Sequence, residues 1–140
     1  MTAECYFQAL KKAKAENVAQ YFADLAKHFE DKGYTQAHIF FDRNPTHKNK
    51  MQTIYAGLTQ DFKIKMHFHL MAAYSPQLNL VEYVIHMVRQ KILHHADHKK
   101  SLSEFEKVIK ELCESKTLIS EEQICNILVH IENLVLKKKI

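Results

Sequence analysis

Two short segments hold carboxylates where chemistry could use them. Asp42 opens DRNPTH directly after an apolar run, and Glu82 closes SPQLNLVE at the head of an amphipathic stretch. Each acid therefore stands just beyond a predicted strand or on the helix that follows one, and Glu82 is presented rather than packed. Taken alone, an aspartate after a strand is most often a turn or cap residue. The basic residues Arg43, Lys48, Lys50, Arg89 and Lys91 lie near the two segments in sequence. They suit phosphate contacts, which carry most nucleic-acid affinity and make it salt dependent, and they equally suit an ordinary solvated surface. His94 and His98 stand four apart, beside His95 and Asp97, a helical spacing that can chelate zinc. A polar helix end is the preferred reading of that cluster.

The elements that must position these residues are legible from periodicity. Glu4–Leu10 is a short aromatic-containing run that reads as a strand. From Asn17, an expected N-cap, Val18, Phe22, Leu25 and Phe29 recur at helical spacing until Gly33, which suits the left-handed end of a helix. Ala37–Phe41 is a nearly continuous apolar run that predicts a strand buried on both faces, with Asp42 at its C-terminal tip. Residues 49–62 read as a helix with Met51, Ile54, Tyr55 and Leu58 on one side. Lys63–Leu70 then alternates, with Ile64, Met66, Phe68 and Leu70 on one face and Lys63, Lys65, His67 and His69 on the other. The two histidines predict a solvated or DNA-facing strand surface.

After a loop over 72–79, a third helix is expected to bury Val81, Val84, Ile85, Val88 and Ile92 while Glu82, His86, Arg89 and Gln90 share another face. Ser101 with Glu104 and Ser120 with Gln123 match the capping box. They start two more helices, lined by Phe105, Val108, Ile109 and Leu112, and by Ile124, Ile127, Leu128, Ile131 and Leu134. Alternation of strands and helices up to that point predicts an α/β layer with a largely parallel sheet.

DRNPTH and SPQLNLVE resemble two signatures of the mariner-related DDE transposases of bacterial insertion sequences. In that family an Asp-Asn-x-x-x-His motif ends a central strand, and Tyr-Ser-Pro-x-Leu-Asn-Pro-Ile-Glu opens the helix that supplies the last acid. Asp42, His47, Tyr74, Ser75, Pro76, Leu78, Asn79 and Glu82 fall on matching positions. Arg43 replaces the Asn, Leu80 replaces the Pro, and Ile85 stands where the family usually has Trp. The interval between the two acids is also a few residues longer than usual, which marks a divergent member.

The resemblance covers most of the chain from about Glu4 to Leu93. It implies a truncated RNase H-like fold, with a mixed, mostly parallel sheet flanked by helices. Residues 1–98 are expected to form the C-terminal part of the catalytic domain, and 99–140 a helical extension packed on the same domain. The implied activity is metal-dependent DNA strand cleavage and transfer in transposition. Such chemistry uses in-line attack at phosphorus with two divalent ions about 3.5–4 Å apart. Asp42 and Glu82 would be the second and third acids of the set, holding Mg²⁺ or Mn²⁺, which prefer acidic oxygens. Arg43, His47, Lys48, Lys50, Arg89 and Lys91 would contact the DNA of the transposon ends.

The first acid is expected on an earlier strand beside the one bearing Asp42, and the chain is expected to begin too late to contain it. Asp24, Asp31 and Asp61 fall on or at the ends of helices and are poor substitutes. The isolated chain is thus expected to be inactive, completed by an upstream transposase polypeptide or associated with a second copy of itself. The alternative is a non-catalytic DNA-binding or dimerisation remnant.

Composition is compatible with these expectations. A formal net charge of +4 over 140 residues mildly favours an anionic partner. Only two glycines and two prolines punctuate the chain, which argues against a many-stranded sandwich. Three cysteines without CxxC spacing read as free thiols in a reducing compartment. No secretory signal or membrane-spanning stretch is visible, so a cytoplasmic protein is expected.

Overall fold

The computed structural model describes residues 4–44, 49–71, 75–95, 101–115 and 118–137. Its order of elements is α1 (Ala15–Asp31), β1 (Gln36–Phe41), α2 (Asn49–Leu58), β2 (Lys65–Leu70), a 3₁₀ turn (Pro76–Leu78), α3 (Leu80–His95), α4 (Leu102–Glu114) and α5 (Glu121–Lys137). The chain divides into two units, one of residues 8–74 and one of residues 1–7 with 75–140.

The first unit is a helix followed by a βαβ crossover. β1 and β2 pair in parallel, Gln36 opposite Lys65 through Phe41 opposite Leu70, with α2 as the connection. Side chains alternate across a strand, so Ala37, Ile39, Met66 and Phe68 project to one face. There they meet Val18, Ala19, Phe22, Ala23, Leu25 and Ala26 of α1, and Met51 and Tyr55 of α2. Phe68 receives Phe22 and Tyr55 edge-on, at centroid separations of 5.4 and 5.0 Å. Edge-to-face rings of this kind pack the negative face of one π-system against the positive rim of another.

α1 starts at Ala15, two residues earlier than its expected cap. Asn17 instead donates from its side chain to the Lys12 carbonyl at 2.8 Å, tying the helix to the chain before it. At the other end Gly33 takes φ +87°, the left-handed conformation that its missing Cβ makes cheap, and the chain leaves the helix there. The start of β2 is also set by α1. Glu30 Oε2 accepts the N–H groups of Lys63 and Ile64 at 2.7 and 3.0 Å, so the ladder opens only at Lys65.

Two expectations fail in this unit. β1 is not buried on both faces: its exposure alternates, and Phe40 is 65% exposed. Within the unit, α1 and α2 cover a single face of the pair, which leaves His38, Phe40, His67 and His69 on the other. Nor is Glu4–Leu10 a strand, since among the described residues only β1 and β2 pair. Strand propensity is realised only where a neighbour completes the backbone hydrogen bonds. Residues 1–7 group instead with the helical unit, where the Cys5 and Cys113 thiols hydrogen-bond. Burial pushes both thiols up from their ordinary values.

In the second unit α3 contacts α4 and α5, and α5 also contacts the 3₁₀ turn. The expected starts of α4 and α5 hold. Glu104 Oε2 accepts the Ser101 N–H at 2.7 Å. For α5, Gln123 Oε1 accepts the Ser120 N–H at 2.8 Å while Ser120 Oγ accepts the Gln123 N–H at 3.1 Å. Leu118 and Ile119, just before α5, are the deepest apolar side chains of this unit among the described residues. The stripe expected on α3 is rotated: Val81 and Ile85 are exposed, and Tyr83, Val84, Met87, Val88 and Ile92 form the half-buried side. A shift of one position turns a helix by about 100°, and the neighbours of α3 select the stripe that includes Tyr83 and Met87.

Candidate functional site

Asp42 is the first residue after β1 and is exposed. Its Oδ1 accepts the Asn44 N–H at 3.1 Å, an Asx turn that bends the chain away from the strand. Beside it, Arg43 Nε donates to the Met71 carbonyl at 3.0 Å, and the Met71 N–H donates to the Phe41 carbonyl at 2.9 Å. The C-terminal ends of the two parallel strands are thereby laced together next to Asp42 in the chain. Arg43 thus braces the sheet end, a use the sequence did not announce.

Lys50 lies in the first turn of α2 and pairs with Glu16 at 2.8 Å. The hydrogen bond from Lys50 holds the Glu16 carboxyl below its ordinary range. Both side chains are exposed, and such a pair contributes little to stability. His47 and Lys48 lie outside the described residues. Asp24 is occupied by amide donors from Gln8 and Gln20, and Asp31 pairs with Lys27 at 2.8 Å, so both have structural partners.

Glu82 is built by the residues before it. Pro76 sits at the start of the 3₁₀ turn, whose bonds run from Leu78 N–H to the Ser75 carbonyl and from Asn79 N–H to the Pro76 carbonyl. Asn79 then caps α3, its Oδ1 accepting the Val81 N–H at 3.1 Å, while its carbonyl accepts the Glu82 N–H at 3.1 Å. Tyr83 Oη donates to the Gln77 carbonyl at 2.9 Å and fastens helix to turn. The spacing from Pro76 to Glu82 is thus that of a capped turn placing an acid in the first turn of a helix, where the macrodipole favours negative charge. Glu82, His86, Arg89 and Gln90 are all exposed, as expected. Lys91 Nζ donates to the Leu118 carbonyl at 3.0 Å, joining α3 to the segment before α5.

As donors, the carboxylates of Asp42 and Glu82 fit a hard divalent cation such as Mg²⁺ or Mn²⁺. Among the described residues, no group of three or more His, Cys, Asp and Glu side chains is arranged to hold one ion. α3 extends to His95, and the side chains of His94 and His95, with all of His98, lie outside the described residues. Also among the described residues, no helix is long and apolar enough to cross a membrane.

One cluster was missed in the sequence. His38, read there only as part of an apolar run, stands opposite His67 and bonds to His69, with Nδ1 and Nε2 2.9 Å apart. The signal was present as one His in the first of two predicted strands and two at alternate positions of the second, but only the parallel register brings them together.

A family model described as DDE superfamily endonuclease matches residues 2–105 of the chain. No curated protein and no solved structure matches it.

Proposed function

Because the chain belongs to the DDE superfamily endonucleases, we propose that it is part of a transposase catalytic domain that acts on the DNA of transposon ends. The observation that carries this is a single family match spanning both acid-bearing segments, from before β1 to beyond α3. A parallel β1–β2 pair with helices is compatible with a truncated RNase H-like fold, and we assign the chain to that fold. Residues 1–98 would be the C-terminal part of the catalytic domain and 99–140 its helical extension.

Asp42 and Glu82 are the acids we assign to the reaction. Bound there, Mg²⁺ or Mn²⁺ would supply activation of a water or 3′-hydroxyl and stabilisation of the leaving oxygen at phosphorus. Asp42 is aimed by its turn with Asn44 and by the laced strand ends, and Glu82 by its cap, so each carboxylate has a fixed origin. We assign Arg43, His47, Lys48, Lys50, Arg89 and Lys91 to the DNA-facing set. Lys50 would exchange its exposed partner Glu16 for a phosphate at little cost. The bridging acid has no counterpart among the matched motif positions. We infer that another polypeptide segment supplies it, and that the chain associates with that segment or with a second copy of itself.

The test is nicking of supercoiled DNA with Mn²⁺ or Mg²⁺, comparing the chain with Asp42→Asn and Glu82→Gln. With the bridging acid supplied in trans by that segment, metal-dependent nicking by the parent and its loss in both variants are expected. Equal behaviour of all three overturns the catalytic assignment, and retained DNA binding in that case would put a non-catalytic DNA-binding remnant in its place.

A further inference from the structure

On the face of the β1–β2 pair turned away from α1 and α2, three imidazoles share a small area. His38 and His69 lie side by side, 2.9 Å from Nδ1 to Nε2, with rings 18° from coplanar. His67 stacks on His38 with centroids 4.6 Å apart and an interplanar angle of 13°. Phe40 stacks on the His69 ring at 4.9 Å and 20°. The pair is exposed, and it bridges the two strands.

We propose that His38 and His69 form a two-imidazole site for a late divalent transition metal of the Cu²⁺ or Ni²⁺ class. Imidazole suits these ions, and tetragonal coordination is their habit. Adjacent ligands about 2.0 Å from such an ion lie about 2.9 Å apart, whereas tetrahedral Zn²⁺ asks for about 3.3 Å. The observed separation of 2.9 Å is set by the hydrogen bond between the rings, and it puts two imidazole nitrogens within chelating reach of one ion without moving the backbone. Both rings must turn about χ2, a broad torsion, so that their lone pairs point at one ion rather than at each other.

In the neutral pair one nitrogen donates and the other accepts. On binding, the donor ring moves its proton through solvent to its other nitrogen, and the ion gives up two waters for two imidazole lone pairs. Nothing is oxidised or reduced.

The site differs in kind from the carboxylates assigned to Mg²⁺ or Mn²⁺, and the two respond to different probes. Ni²⁺ is the probe of choice, since Cu²⁺ would oxidise the three thiols. Calorimetric titration of the untagged full chain should show Ni²⁺ binding that excess Mg²⁺ leaves unchanged. His38→Gln and His69→Gln should each weaken it by about tenfold or more, because the second imidazole acts at high effective concentration. Paramagnetic broadening should reach the His38 and His69 ring signals first, and His28→Gln should bind as the parent does. If both histidine variants keep the parent affinity, or if His94→Gln with His98→Gln abolishes binding instead, the assignment is overturned.

Discussion

α1 and α4 carry similar amphipathic patterns and meet opposite fates. α1 buries Val18, Ala19, Phe22, Ala23, Leu25 and Ala26 against a sheet and a second helix, whereas neither α4 nor α5 has a fully buried residue. In the helical unit Leu128 is 42% exposed and Val129 55%. The difference teaches that an apolar stripe specifies a face without supplying something to cover it. A βαβ crossover brings its own cover, because the connecting helix must return across the sheet it joins. Helices joined by short connections meet only along narrow seams, and here those seams leave the stripes half-buried.

The largest break of this contrast is Phe22→Ala. Phe22 contacts Phe41 and Phe68 and lies at the centre of the cluster, so its truncation should cost about 3–5 kcal/mol in a urea titration. Ile131→Ala, on the half-buried side of α5, should cost about 1 kcal/mol. A loss as large as that at Phe22 would show that the helical unit is packed as tightly as the βαβ unit. Ser120→Ala removes one half of the α5 capping box and should lower stability by about 0.5–1 kcal/mol. Smaller still, Leu128→Ala should stay within about 0.5 kcal/mol, and a greater loss would mean that this exposed position is covered in solution.

A pH series sharpens the contrast from the side of the βαβ unit. The Ile64 N–H first, then that of Lys63, hold Glu30 below the ordinary value of 4.5 against an opposing desolvation. A carboxyl depressed on folding contributes stability that is fully present above its unfolded value and is lost as pH falls through the folded one. The parent should therefore lose more stability than Glu30→Gln as pH falls below about 4.5. Parallel pH profiles would show that the two hydrogen bonds do not anchor the start of β2.

Much of the site was legible in the residues. SPQLN, expected only as part of a loop, forms a capped turn whose signals are local: Pro for the first turn, Asn for the cap, and an acid where the dipole favours it. Both capping boxes of the last two helices were read correctly for the same reason, since a hydroxyl and its partner three residues later are local. What failed was non-local. The strand expected at Glu4–Leu10 had the right composition but no paired strand among the described residues, and β1 was read as doubly buried because a run of apolar residues does not state how many layers will cover it. Arg43 and Lys91 read as free basic residues, yet each donates to a backbone carbonyl 27 or 28 positions away.

By itself the sequence determined the helices and the two paired strands, the capping boxes of α4 and α5, the family and the two acids worth testing, because propensity, capping and motif spacing act over a few neighbouring residues. Tertiary structure alone decided which face of β1 is covered, which side of α3 is half-buried, and that His38 meets His69. Those outcomes depend on register and on which surfaces meet, quantities fixed by residues far apart in the chain.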